Sequence, residues 1–305
     1  MSGQKSAVLN IAHRGARAFA PENTLAAFAK ANDFGCDMFE LDVRLSKDNV
    51  VVVHHDENLL RCTDAKTKFP DRNSYQLEDF TYSELSTLDA GNWFCAQLDL
   101  PGGERQPFLQ SLTDAEIADF ISEAERRNYS SGDIKIPTLT ESLELAKELG
   151  LMVNVELKSG SPKDSLLVIN VIKAIEAAQM EDNVLISSFY LELVKQVRQH
   201  NEGIATAALT EKPLKTPLTT LRNLKANACN MGCFGDFKRH GFNSSAGKRY
   251  LAHLKKLRDA GYGINIWTCN NPDEMAALIN GGVTGLITDY LNRAKVVINA
   301  HVNTL

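Results

Sequence analysis

The chain has 305 residues and a formal net charge of −5, long enough for one large α/β barrel of about 250 residues or for two ordinary domains. With 44% hydrophobic and 23% charged residues it has the composition of a globular protein with a sizeable core. Its acidic balance gives no electrostatic reason to expect a nucleic-acid partner, and no apolar run approaches the roughly 18 residues that cross a bilayer.

The first residues, MSGQKSAVLNIAHRG, carry one Lys and a short apolar run that leads directly into a charged motif, unlike a secretory signal. The cysteines Cys36, Cys62, Cys95, Cys229, Cys233 and Cys269 are scattered, with no C-x-x-C pair. They are therefore expected to be free thiols in a reducing compartment, which implies a cytoplasmic location.

In chain order, strands are expected at 8–13, 38–43, 151–157, 183–189, 203–209, 227–231, 263–268 and 285–289. Between them lie amphipathic stretches such as NTLAAFAKANDFG, TLTESLELAKELG, DSLLVINVIKAIEAA, YLELVKQVRQHN and SAGKRYLAHLKKLRDAG, several ending in Gly or Asn as helices do. Eight strands alternating with helices predict a parallel sheet closed into a TIM-type (β/α)8 barrel filling one catalytic domain over 1–305. The run Val50–Val53 breaks the alternation. It follows the second strand too closely for a parallel crossover, so a hairpin turning at Ser46–Asn49 is expected, with Leu45 opposite Val50 and Glu40 opposite His55. Residues 57–133 are polar and turn-rich apart from one helical stretch, DAEIADFISEAERRN. A structureless loop of that length is implausible in a compact domain, so 46–136 is predicted to be an inserted subdomain after the second barrel strand. The barrel resumes with a helix near Pro137–Thr138.

Three barrel strands end in chemically loaded residues: His13-Arg14, Glu40-x-Asp42 and Glu156-x-Lys158. Alternation along a strand puts Glu40 with Asp42 on one face, and Glu156 with Lys158. In TIM barrels such strand ends carry the active site. Three converging carboxylates repel one another and lose hydration, a conflict that one divalent cation resolves. All-oxygen ligation favours Mg²⁺ or Ca²⁺. Lys158 and Arg14 suit a phosphate, and His13 and His55 suit general acid–base work. Taken singly, each group also fits a structural role. His54 reads as structural or exposed, and Asp289 as either a helix cap or a cavity residue. The site reading rests on their falling together at strand ends.

The stretch HRGARAFAPENTLAAFAKANDFGCDMFELDVRLSKDNVVVVHHDENLLRCTD resembles the glycerophosphodiester phosphodiesterase family. HRG, PENT, E-x-D, HD and the segment with Leu59, Arg61 and Thr63 come in that family's order. LDAGNWF (88–94), IPTLTESLELAKE (136–148), NVELK (154–158) and the region 264–289 resemble it too. Residues 97–133 have little counterpart. The resemblance implies hydrolysis of a small glycerophosphodiester to sn-glycerol 3-phosphate and an alcohol. It implies metal ligation by Glu40, Asp42 and Glu156, and acid–base roles for His13 and His55. It also implies phosphate contacts from Arg14 and Lys158, and apolar walls from Trp267 and Phe94. A lysophospholipase D-like activity on a lipid-bearing diester, or a non-catalytic phosphodiester-binding barrel, are the alternatives. Association into a homo-oligomer stays open.

Overall fold

The computed structural model describes residues 8–158, 160 and 163–302. Among the described residues nine strands are present: β1 (Leu9–Ala12), β2 (Met38–Leu45), β3 (Val51–Val53), β4 (Met152–Leu157), β5 (Val184–Ser188), β6 (Ala205–Thr210), β7 (Ala228–Gly232), β8 (Gly263–Trp267) and β9 (Gly285–Thr288). Eight of them form a closed parallel ring in the order β1-β9-β8-β7-β6-β5-β4-β2, with β2 returning to pair with β1. Eight helices wrap it: α1 (Leu25–Asp33), α2 (Leu139–Leu149), α3 (Asp164–Ala178), α4 (Leu191–His200), α5 (Pro217–Leu224), α6 (Ser245–Asp259), α7 (Pro272–Asn280) and α8 (Leu291–Val302). This is the predicted (β/α)8 barrel, including the short strand at 227–231.

Local chemistry sets the joints. Thr24 caps α1 by accepting the Ala27 N–H. Thr138 and Glu141 form a capping box on α2, and Gly150 ends that helix in the left-handed region. Along the inner face of the strands, side-chain character changes with height. Ile11, Met38, Leu185, Ala207, Ala228 and Ile287 form one apolar cluster. Two residues further along their strands stand His13, Glu40, Ser187 and Asp289. The strand period of two thus gives an apolar plug below and a polar mouth at the C-terminal ends.

β3 is antiparallel to β2, as the hairpin requires, but the register differs by one residue. Leu45 pairs with Val51 and Val43 with Val53, so the expected Glu40–His55 pairing is lost and His54 follows opposite Asp42, donating its N–H to the Asp42 carbonyl at 2.9 Å. The cause is the turn. Ser46 N–H bonds to Val50 O, Val50 N–H to Ser46 Oγ, and Asn49 takes φ 66°. The loop therefore holds three residues, and Val50 closes it rather than entering the ladder.

Between β3 and α2 the insertion consists of short helical turns. The predicted helix DAEIADFISEAERRN is two helices, Asp114–Phe120 and Glu123–Tyr129, because Ser122 and Glu125 form a second capping box that restarts the chain. Its apolar residues, among them Leu59, Phe80, Leu88, Phe94, Leu109 and Tyr129, join one continuous cluster with Phe19, Phe28 and Phe39 of the barrel. The insertion thus shares the barrel's core. Phe120 packs on Phe19 and Phe34, and Arg293 of α8 reaches Glu116 and Ser111.

Candidate active site

The barrel register assembles the mouth. Asp42 on β2 lies beside Glu156 on β4, Glu40 beside Asn154, and Glu156 beside Ser187 on β5. Glu40, Asp42 and Glu156 are all buried, and an oxygen of each lies within 4.8 Å of the others. Lys158, just past β4, bridges them, with Nζ 2.9 Å from Asp42 Oδ1 and 2.5 Å from Glu156 Oε1. The three carboxylates respond differently. Burial, Asp42 and Glu156 push Glu40 well above the usual range, and Glu40 Oε1 has no hydrogen-bond partner. Burial also raises Asp42, but Lys158, His55 and Arg14 outweigh it and hold Asp42 well below its usual value. Glu156 is raised, by burial foremost. One cation beside the unpartnered Glu40 Oε1 would relieve Glu40 and Glu156 together.

The turn after β1 supplies the next layer. Arg14 sits at φ 56° and Gly15 at φ 79°. A Cβ on Gly15 would stand 2.7 Å from the Ala27 Cβ, so only glycine fits this crossing. The turn aims the Arg14 N–H at Glu40 Oε2 (2.8 Å) and its guanidinium at Glu22 Oε1 (2.8 Å), with Asp42 Oδ2 3.4 Å away. Asn23, itself at φ 57°, donates to Asp42 Oδ2 at 2.7 Å. Buried Glu22 collects Arg14, Arg17 and Arg61. Burial pushes its acid up, but the guanidiniums of Arg17, Arg14 and Arg61 together hold it well below the ordinary range.

Each histidine is anchored through Nδ1. His13 Nδ1 lies 2.7 Å from Asp289 Oδ1, and Asn270 holds the other Asp289 oxygen at 2.7 Å. His55 Nδ1 lies 2.5 Å from Asp56 Oδ1, whose second oxygen takes Arg61 Nε at 2.5 Å. A carboxylate acceptor on Nδ1 places the ring proton there and leaves Nε2 as the working nitrogen. Burial lowers His13 to about 4 against the pull of Asp289, and burial lowers His55 as well. Asp289 is brought down to about 2, because Arg17 and His13 outweigh its burial.

His13, Arg14, Glu40, His55, Glu156 and Lys158 line a cavity of about 210 Å³ together with Arg17, Asn154, Ser187, Phe189, Leu209, Trp267, Thr268 and Ile287. Trp267 stands on its wall, edge-on to Phe189 at 5.4 Å. Of the residues singled out in the sequence, His13, His55, Arg14, Lys158, Glu40, Asp42, Glu156 and Trp267 come together here. Phe94 does not. It is fully buried on the helix Asn92–Leu98 against Trp93 and Tyr129, inside the insertion, because its side of that helix faces the shared core. Asp289 lines up with His13 rather than capping a helix. His54 is buried behind the hairpin. Sequence reasoning gave no roles to Arg17, Glu22, Asn23, Asp56, Arg61 or Asn154. Glu22 and Asn23 lie in PENT, Asp56 in HD and Arg61 in the following segment, so the signal was present as motif without chemistry. Arg17 had none.

A (β/α)8 barrel whose mouth gathers a carboxylate triad, carboxylate-anchored histidines and the cations Arg14 and Lys158 is built as a phosphate-ester hydrolase. The chain belongs to the glycerophosphoryl diester phosphodiesterase family, whose model matches residues 13–293. It is 31% identical over 281 residues to a glycerophosphodiester phosphodiesterase of Caldanaerobacter subterraneus subsp. tengcongensis, covering 92% of this chain and 93% of that one. It is 29% identical to one of Bacillus altitudinis, covering 93% and 95%. Among solved structures it shares the fold of an Oleispira antarctica phosphodiesterase in complex with the product sn-glycerol-3-phosphate. The TM-score is 0.73 at 22% identity, covering 96% and 97% of the two chains. A glycerophosphodiester phosphodiesterase from Agrobacterium tumefaciens superposes with a TM-score of 0.65 at 22% identity, covering 94% and 98%. Among the described residues no helix is long and apolar enough to cross a membrane.

Proposed function

We propose that this protein hydrolyses glycerophosphodiesters to sn-glycerol 3-phosphate and an alcohol, with a divalent cation and two histidines. The observation that carries the reading is the pair of carboxylate-anchored histidines facing one cavity with three clustered carboxylates, Arg14 and Lys158. Family membership and the product bound to the Oleispira antarctica relative support it.

Glu40, Asp42 and Glu156 suit a hard divalent ion. They offer only oxygen, and Glu40 Oε1 is buried without a partner. Such an ion, Mg²⁺ or Ca²⁺, would supply Lewis-acid activation at this site when bound. The chain's own residues do the rest. Arg14 and Lys158 neutralise and orient the phosphodiester anion. His13, neutral and held through Asp289, takes a proton at Nε2 from the attacking hydroxyl. His55 is less buried and flanked by Asp42 and Asp56. It carries the proton that goes to the leaving alkoxide once the substrate anion is in place. Trp267 gives the glycerol an apolar wall. The attacking group in this reading is the glycerol 2-hydroxyl, which gains the advantage of an intramolecular reaction. The P–O bond to the alcohol breaks as a 1,2-cyclic phosphate closes, and water then opens the ring with the histidine roles reversed.

The test is turnover of glycerophosphocholine, glycerophosphoethanolamine and lysophosphatidylcholine, with EDTA and metal add-back. Full activity in EDTA excludes the metal role. One observation favours a lipid-bearing diester. Phe189 is 39% exposed on the cavity wall beside Trp267, and the adjoining Tyr190 is 53% exposed, apolar surface that an acyl chain would cover. Faster turnover of lysophosphatidylcholine than of the water-soluble diesters would select that reading.

A further inference from the structure

On the outer flank of β7 and β8 three proton-bearing groups meet. Cys233 directly follows β7, Cys269 lies two residues past β8, and Glu274 is in the first turn of α7. Backbone bonds lock their carriers together. Cys233 N–H donates to Trp267 O at 2.7 Å, Cys269 N–H to Ile287 O at 2.9 Å, and Phe234 N–H to Glu274 Oε1 at 3.1 Å. Both Sγ atoms and a Glu274 oxygen lie within 4.8 Å of one another. Cys269 is fully buried and Glu274 is 7% exposed. Cys233 opens onto a surface cavity that it shares with Phe234, Arg249 and Tyr250.

The carboxylate is the anomaly. Among the described residues no Lys, Arg or His makes an ion pair with Glu274. A buried carboxylate must be paired, protonated or bound to a cation. Without a cation, a hydrogen bond with Cys269 and then burial raise the Cys233 thiol, and burial raises the Glu274 acid. A tetrahedral zinc with Zn–S of about 2.3 Å and Zn–O of about 2.0–2.2 Å has ligand-to-ligand edges of roughly 3.5–3.8 Å. The observed groups, all within 4.8 Å of one another, need to close by at most about 1.3 Å to reach such edges. Thiolate with carboxylate selects a softer ion than the all-oxygen triad does.

We propose that Cys233, Cys269 and Glu274 bind a thiophilic divalent cation of the zinc class, independently of the carboxylate triad. The groups bind as two thiolates and a carboxylate, any protons they hold leaving as the cation enters, so the loaded site carries one net negative charge. A water completes the tetrahedron on the open Cys233 side. Cys269 stands between Thr268, on the catalytic cavity wall, and Asn270, which holds Asp289. Loading therefore stiffens the strand end that positions His13.

The experiment uses the full, reduced chain in excess Mg²⁺ and follows uptake of Zn²⁺ by elemental analysis after desalting. Cd²⁺ serves as a second probe, because it gives a thiolate charge-transfer absorption. One equivalent of either ion with thiolate absorption is expected. Cys233→Ser and Glu274→Gln should each weaken binding by at least the roughly 100-fold that even outer-shell changes reach. Cys233→Ser should keep its Mg²⁺-dependent turnover, which shows that it is folded. No stoichiometric uptake in wild type, uptake without thiolate absorption, or absorption that survives Cys233→Ser would each overturn the proposal.

Discussion

Replacing Glu40 by Gln separates the cation's role in stability from its role in turnover. Burial and the neighbouring carboxylates raise Glu40 in the folded state, so the folded protein holds a proton there that the unfolded chain releases. The sign follows from linkage. The stability this group contributes is present below its unfolded pKa and is lost as pH rises toward the folded one, at up to about 1.4 kcal/mol per pH unit. Glu156 is raised too and acts in the same direction. His13 and His54 run the other way. Lowered to about 4, they add stability that is complete above their unfolded value near 6.5. Subtracting the Glu40→Gln curve from wild type cancels the histidines and leaves Glu40. In EDTA the variant should be increasingly more stable than wild type as pH rises from about 5, by up to about 2 °C in Tm per pH unit for a domain of this size. Saturating Mg²⁺ or Ca²⁺ should reverse the order. It stabilises wild type by about 2.7 kcal/mol at one hundred times Kd and does far less for the variant. Calorimetry in EDTA and in each ion, across pH 5–8, reads both effects, and turnover should be lost. If wild-type stability in EDTA rises relative to the variant over that range, or the variant keeps the full cation shift, the carboxylate triad is not the cation site.

Other outcomes follow from the same geometry. His13→Ala and His55→Ala should each lower kcat/KM by about 10²–10⁴-fold, the usual worth of a proton-transfer group, with unfolding unchanged within a few degrees; near-wild-type turnover in either would remove that histidine from the chemistry. The acid limb of kcat/KM should fall well below pH 6.5, near 4, because burial keeps His13 neutral down to there. In Asp289→Asn it should move lower still while kcat drops, and an unmoved limb would assign it to another group. The Arg17 guanidinium lies 3.7 Å over the Phe108 ring, which comes from the stretch 97–133. Phe108→Ala should therefore raise KM or change the preferred alcohol, with kcat within about threefold, consistent with the roughly 1 kcal/mol of such a contact. Deleting the whole stretch is a poorer probe, because Leu98, Leu109, Leu112, Ile121 and Tyr129 are core residues. A glycerophosphodiester lacking the 2-hydroxyl should bind and turn over poorly; hydrolysis at the parent rate would make water the attacking group.

The sequence alone determined whatever is set by neighbours a few residues away. Strand period puts Glu40 and Asp42 on one face, and Thr138 with Glu141, or Thr24 alone, starts a helix. The spacing of β2 and β3 allows nothing but a hairpin. Motif order then supplied the triad and both histidines, and the structure brings those residues together in one cavity. Pairings that barrel closure makes were beyond it. Asp289 reaches His13 across 276 residues only because β9 lies against β1. Glu22 meets Arg61 only because the insertion folds back over the β1–α1 turn. The hairpin register depended on which residue closed a three-residue turn, a choice between nearly equal local bonds that Ser46 Oγ and Asn49 decide. Phe94 went to the core because an aromatic side chain gains most where it is fully enclosed, and whether a helix face meets core or cavity is fixed by what packs against it. Local periodicity specifies directions along the chain, but contacts between distant segments exist only after the barrel has closed.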